Sequence, residues 1–206
     1  MISAFSTGFF LGLSLIVAIG AQNAFVIRQG LIKQHNFYVA LFCSISDCLL
    51  IVIGIAGISY FFDNFINQHS KIVYGISALW LLSYGIIRVY SATKTDKKFI
   101  ENNLKFHSLS SAISTAAIFT FANPHVYLDT IILIGSISQQ FIYYEKIYFA
   151  FGACLASFIW FFSLSYGAQA LSPLIHKPIH WRTLDLLIAL IMFIIAFNLL
   201  SMSYKL

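Results

Sequence analysis

Asp47 and Asp129 are two acidic side chains that fall well inside long apolar runs of this 206-residue chain. An ionisable group at the centre of a bilayer costs about 2.5–3.5 kcal/mol on insertion scales, so each needs a partner. No Lys or Arg lies at comparable depth in any apolar run; Arg28 and Arg88 sit at run ends. The carboxylates are therefore protonated, satisfied by polar neighbours, or open to a cation that arrives and leaves. Their neighbours favour the last use. Ala40, Asp47 and Gly54 share a stripe at seven-residue spacing with Ser44 beside it, so the first carboxylate is expected to face a narrow, small-residue surface. His125 and Asp129 are i, i+4 neighbours, and Ala122, Asp129 and Ser136 make a comparable stripe. A carboxylic acid that only locks helix packing is the plainer alternative.

The stretch "FTFANPHVYLDT" at 119–130 puts a helix breaker beside one of these acids. Pro124 has no N–H, so the carbonyl of Thr120 loses its helical partner and Asn123 is pushed away from helical geometry. Freed backbone groups at mid-membrane are tolerated only where protein or a wet cavity satisfies them. A cavity lining is thus expected at Asn123 and Pro124. "IGAQNAF" at 19–25 is a matching polar break in the first helix, so Gly20 and Pro124 are the expected break and gating residues. Gly20, Gln22 and Asn23 would line the cavity from the other half, with amides that hold the ends of a zwitterion. A proline kink without ligand contact is the alternative. The chain has no HExxH, GxSxG, GxxxxGK[ST] or CxxC, so neither an enzyme nor a cofactor is expected. His125 alone argues weakly for a metal.

These residues need membrane helices to position them. The composition, 60% hydrophobic and 9% charged with a mean hydropathy of +0.86, is that of an all-α integral membrane protein. Windows at about 5–27, 38–62, 72–90, 110–137, 147–171 and 184–203 give six transmembrane helices. The first lacks a basic flank and a polar sequel, so it reads as a retained helix rather than a secretory signal. Residues 1–206 then form a single transporter domain, with repeat one at about 1–90, a polar loop at 91–108 and repeat two at about 109–206. Aligning 37–57 with 147–167 matches Tyr38 to Tyr148, Ala40 to Ala150 and Gly57 to Gly167. Three helices per half make the two repeats inverted. The connections after helices one, three and five hold nine of the twelve basic residues, including Arg28, Arg88 and Lys97, against Lys71, Lys146 and Lys205 on the other side. This places loop 91–108 in the cytoplasm and both termini outside. A basic rim facing anionic membrane lipid accounts for the net charge of +5, and no nucleic-acid partner is implied. Ala4, Gly8, Gly12 and Gly20 form a small-residue stripe for close packing, within one subunit or at a homodimer face. Cys43, Cys48 and Cys154 read as buried apolar thiols.

"GAQNAFVIRQGL" at 20–31, "SISDCLLIVIGIAG" at 44–57, "NPHVYLDTIILIGSIS" at 123–138 and "SFIWFF" at 157–162 resemble the lysine and arginine exporter (LysE) family, especially its arginine-exporting branch. The resemblance spans nearly the whole chain. It implies a bundle in the bacterial cytoplasmic (inner) membrane that expels basic amino acids, driven by the proton gradient or membrane potential. It assigns the family's paired aspartates to Asp47 and Asp129, and its polar first-helix motif to Gln22 and Asn23. Ala21 stands where the family commonly has proline, predicting a less sharply broken first helix. Phe121 and Ala122 replace a tryptophan-leucine pair. A metal-cation exporter using the same carboxylates and a non-transporting membrane scaffold are the competing readings.

Overall fold

Apolar runs that enter lipid must satisfy their own backbone hydrogen bonds, and helices do so within one segment. The computed structural model describes residues 1–17, 20–93, 108–174 and 178–205; the side chains at 58–71, 73–74, 125, 174, 178 and 202–205 lie outside that description. All regular structure among the described residues is helical. Most of the connection expected to be cytoplasmic, 94–107 with Lys97, lies outside the described residues, as does Lys177.

The expected first helix is two. α1 (Ile2–Ile16) and α2 (Ala21–Ile32) meet at 79°. Gly20, in extended geometry at φ −113° and ψ −174°, caps the start of α2. The break expected at Gly20 is present, and sharper than the missing proline suggested, because a side-chain amide takes over the carbonyl that the break exposes, as described below. α3 (Asn36–Ile53) runs into a π-helical turn (Gly54–Ile58) and then α4 (Ser59–Thr93). The chain bends at Gly57, whose φ of 94° suits glycine, rather than in the 63–71 interval between the expected helices. The backbone of that interval is helical.

The expected helix at 110–137 is in four pieces. α5 (Leu109–Phe121) is capped by Ser108, whose side chain accepts from the Ser111 N–H at 3.2 Å. α6 (Pro124–Tyr127) leads into a π-helical segment (Leu128–Leu133) and α7 (Ile134–Ser138). Pro124 thus opens a new segment, where its missing N–H is no loss. α8 (Tyr143–Leu171), a short 3-10 turn (Ser172–Leu174) and α9 (Pro178–Lys205) complete the chain.

Asn36–Gly57, Tyr143–Leu171 and Ile179–Ser201 are each long and apolar enough to cross a membrane, and the bent α1–α2 pair makes a fourth crossing if it is one span. Leu109–Phe121 and Leu128–Ser138 are shorter apolar helices. The protein is a multi-pass membrane protein. Ile45, Leu49 and Val52 project from α3 more than half exposed, as a lipid-facing row does.

α8 is the central post, with α1, α2 and α3 packed on it, while α4 lies along α9. Ala4, Gly8 and Gly12 are buried where α1 meets α8, so the stripe is used within the subunit. A Cβ on Gly8 or Gly152 would overlap the carbonyl oxygen of Phe149 or Phe5. Gly20 departs from the stripe, with nothing within 4 Å of its would-be Cβ. A second close approach joins the two π-helical segments. A Cβ on Gly135 would come within 2.7 Å of the Gly54 oxygen, and one on Gly54 within 2.7 Å of the Ile131 Cα.

Backbone cannot yield as a side chain can, so Gly135→Val should sharply reduce the amount of folded protein recovered from membranes by size-exclusion chromatography. Gly75, with nothing within 4 Å, is the control: Gly75→Ala should fold as well or better, since alanine gains about 1 kcal/mol over glycine inside a helix. Equal recovery of the two variants would contradict the close approach.

Candidate functional site

Both helix breaks open onto one cavity of about 240 Å³. Its lining includes Gly20, Gln22 and Asn23 from the first break, Asp47 from α3, and Asn123 and Asp129 from the second, with Thr130 beside them. Apolar walls come from Leu15, Ile16, Val126, Ile134, Phe161 and Ile195. The volume is a little below the usual range of about 300–1,000 Å³ for drug-sized ligands, the scale of one small metabolite.

Asp47 is buried, and the Ser157 hydroxyl of α8 donates to its Oδ2 at 3.1 Å. An ionised carboxylate accepts up to about four hydrogen bonds, so one donor leaves capacity for another group. The Gln22 amide faces Asp47 and the Cys43 thiol. Its buried Nε2 nonetheless makes no hydrogen bond among the described residues. Asp129 stands in the π-helical segment, which widens the helix by one residue per turn and is a common device at functional sites.

Asn23 has a different role from Gln22. Its Nδ2 donates to the Ile16 carbonyl at 2.8 Å, and its Oδ1 accepts from Trp160 Nε1 at 3.3 Å. The amide therefore closes the end of α1 and ties the break to α8. At the second break the Tyr127 hydroxyl donates to the Phe121 carbonyl at 2.6 Å, and the Ala122 N–H still reaches Ile118. In both breaks a polar side chain does the work that water would do outside a membrane.

The remaining expected site residues separate from the cavity. Ser44 is buried and donates to the Ala40 carbonyl of its own helix at 2.9 Å. Pro124 lines a different, largely apolar cavity of about 250 Å³ with Trp80 and Tyr127. The His125 side chain lies outside the described residues. Among the described residues, no three His, Cys, Asp or Glu side chains gather as a metal site would require. All three cysteines are free thiols, and those of Cys48 and Cys154 face each other between α3 and α8.

Sequence reasoning missed Ser157, Trp160 and Asp185. Ser157 and Trp160 are two further contributions of α8 to the breaks and the carboxylate; "SFIWFF" held them, but a lone serine among aromatics carries no spacing signal. Asp185 lies at the edge of the 184–203 apolar window and takes no role in the sequence reading, yet it is 4% exposed. Arg28 and Arg88 lie beside it, largely buried.

The family described as LysE type translocator matches residues 13–203. The arginine exporter protein ArgO of Photorhabdus laumondii is 38% identical over 200 residues, covering 97% of this chain and 96% of its own. The ArgO protein of Salmonella typhimurium is 35% identical over 199 residues, covering 97% and 94%. No solved structure matches the chain.

The two amides at the first break predict opposite outcomes. Asn23→Ala abandons a buried carbonyl and an indole N–H, at about 1–3 kcal/mol for an unmet buried group, and should lower the thermal midpoint of the purified protein. Gln22→Ala removes an amide with an unmet donor and should leave that midpoint unchanged or higher. A fall in stability for Gln22→Ala as large as that for Asn23→Ala would contradict the division of roles.

Proposed function

Because this chain belongs to the LysE type translocator family, a family of transporters rather than enzymes, we propose that it exports basic L-amino acids across the bacterial cytoplasmic membrane. Arginine is the favoured cargo, since the relatives above are named arginine exporters, and lysine is the second. The observation that carries this reading is the single cavity where Asp47 and Asp129 converge with the Gln22 and Asn123 amides.

The chemistry follows from charge. Arginine carries two cationic groups and one carboxylate; two aspartates answer the cations, and amide N–H groups suit the carboxylate. Moving this cation outward against an inside-negative potential costs about 2.3 kcal/mol per 100 mV. Exchange for an inbound proton cancels the charge moved. In this scheme the two carboxylates hold the amino acid in one half of the cycle and a proton in the other, so the site carries the same small net charge, near neutrality, whenever it crosses the low-dielectric barrier. Gln22, with a donor still unmet, turns toward the cargo.

The scheme assumes six passes arranged as two inverted three-helix repeats, each opening on a broken helix followed by α3–α4 or α8–α9. It also assumes that both termini lie outside, as the basic-residue count suggests. Cysteine labels near Lys97 should then react only from the cytoplasm.

Asp47→Asn and Asp129→Asn keep size and hydrogen bonding while removing charge. Both variants should insert at normal abundance, because a neutral amide costs less in hydrocarbon than an ionised acid. Cells fed arginine-containing dipeptides should accumulate arginine with either variant and clear it with the unaltered protein. Normal clearance at normal abundance would remove the carboxylates from the mechanism.

A further inference from the structure

Arg28 of α2, Arg88 of α4 and Asp185 of α9 meet away from the central cavity. Arg88 Nη1 lies 3.5 Å and Arg28 Nε 4.0 Å from the same oxygen, Asp185 Oδ1. All three side chains are largely buried, at 12% exposure for Arg28, 14% for Arg88 and 6% for Asp185. Two guanidinium groups thus share one carboxylate, leaving one uncompensated positive charge among the described residues of the cluster. The Nε of each arginine is buried with no hydrogen-bond partner among those residues. Arg88 also stacks on the Tyr84 ring, 4.6 Å from its centroid, which fixes the plane of its fork.

The two arginines line a cavity of about 340 Å³ that shares no lining residue with the central one. Ser91, Ser111 and Gln29 supply further polar groups. Gln29 Oε1 is itself buried without a partner, and half a turn of the amide would present its Nε2 instead. Ile87 and Tyr90 of α4 also line the cavity and are 55% and 58% exposed, so the mouth opens sideways onto an outward-facing apolar surface. On the inner side the Phe25 ring lies 5.7 Å from that of Phe119, an aromatic wall facing the bundle core.

We propose that this cavity binds the phosphate of an anionic membrane lipid, with Arg28 and Arg88 as the donors. Planar guanidinium forks match phosphate oxygens, and paired basic side chains between membrane helices suit an acidic headgroup. The lateral mouth between Ile87 and Tyr90 gives acyl chains a place in the bilayer while the phosphate reaches the arginines; tyrosine suits the headgroup level. A cationic cargo would meet net positive charge here. The proposal needs only membrane insertion and stands apart from the identity of the cargo.

The test places the purified protein in nanodiscs of phosphatidylcholine with or without phosphatidylglycerol and reads retained lipid by native mass spectrometry, with thermal midpoint alongside. The unaltered protein should retain phosphatidylglycerol over phosphatidylcholine, and Arg88→Gln should weaken that preference roughly fivefold, the loss of one basic residue near a charged headgroup. Ser111→Glu, whose carboxylate would answer the uncompensated positive charge in place of the phosphate, should abolish the preference without lowering the midpoint in phosphatidylcholine, and it decides the matter if Arg88→Gln fails to fold. Equal retention of both lipids by the unaltered protein would overturn the proposal. So would stabilisation by millimolar inorganic phosphate equal to that by phosphatidylglycerol, which would assign the cavity to a free oxyanion.

Discussion

In hydrocarbon, every backbone carbonyl and every charge must find its partner inside the protein, and unmet groups cost several kcal/mol each. This chain violates helical continuity twice and buries acidic side chains besides. The breaks survive because Asn23 takes the Ile16 carbonyl and Tyr127 takes that of Phe121. With those groups settled locally, the break residues Gly20, Gln22 and Asn123 can line a cavity instead of repairing a helix. The cavity is the consequence of two satisfied breaks, and the carboxylates of Asp47 and Asp129 are tolerable because they face it.

Holding the two breaks together depends on close approach. α1 lies on α8 through Gly8, Gly12 and Gly152, which places the end of α1 and the Ser157–Trp160 segment in one layer. Gly54 against Ile131 joins the two π-helical segments, with Gly135 of α7 closing on Gly54 beside it, and so holds the Asp129 segment against the end of α3. Side chains at these glycines would separate the halves and dissolve the cavity without touching a charged group. The positioning of the acids is therefore a property of small residues as much as of the acids.

The membrane class, the helical content and the residues at the cavity were legible because expensive residue types mark themselves. An aspartate in an apolar run or an Asn-Pro pair needs an explanation, and Asp47, Asp129 and Asn123 received one. What escaped was set by tertiary geometry. The break at Gly20 was expected, but in a weaker form; its sharpness without a proline rests on Asn23 reaching back seven residues, and nothing local announces that reach. The turn at Gly57 rests on a positive φ that glycine permits but does not demand. Ser44 was expected to serve the site by its nearness to Asp47, but a serine in a helix readily bonds its own i−4 carbonyl. Asp185 and its two arginines come from three distant segments, so only the packing of α2, α4 and α9 could reveal them as one cluster.

The central claim is that the paired carboxylates answer the two cationic groups of the amino acid, the side-chain guanidinium among them. Citrulline has nearly the shape of arginine, with a neutral urea in place of the guanidinium, so it isolates that charge. The direct measurement is counterflow in proteoliposomes loaded with unlabelled arginine or citrulline, following uptake of labelled arginine. Arginine inside should drive rapid exchange while citrulline drives none above empty vesicles. Equal exchange with both amino acids would contradict the account, because the cavity would then recognise shape without the charge that Asp47 and Asp129 are there to meet.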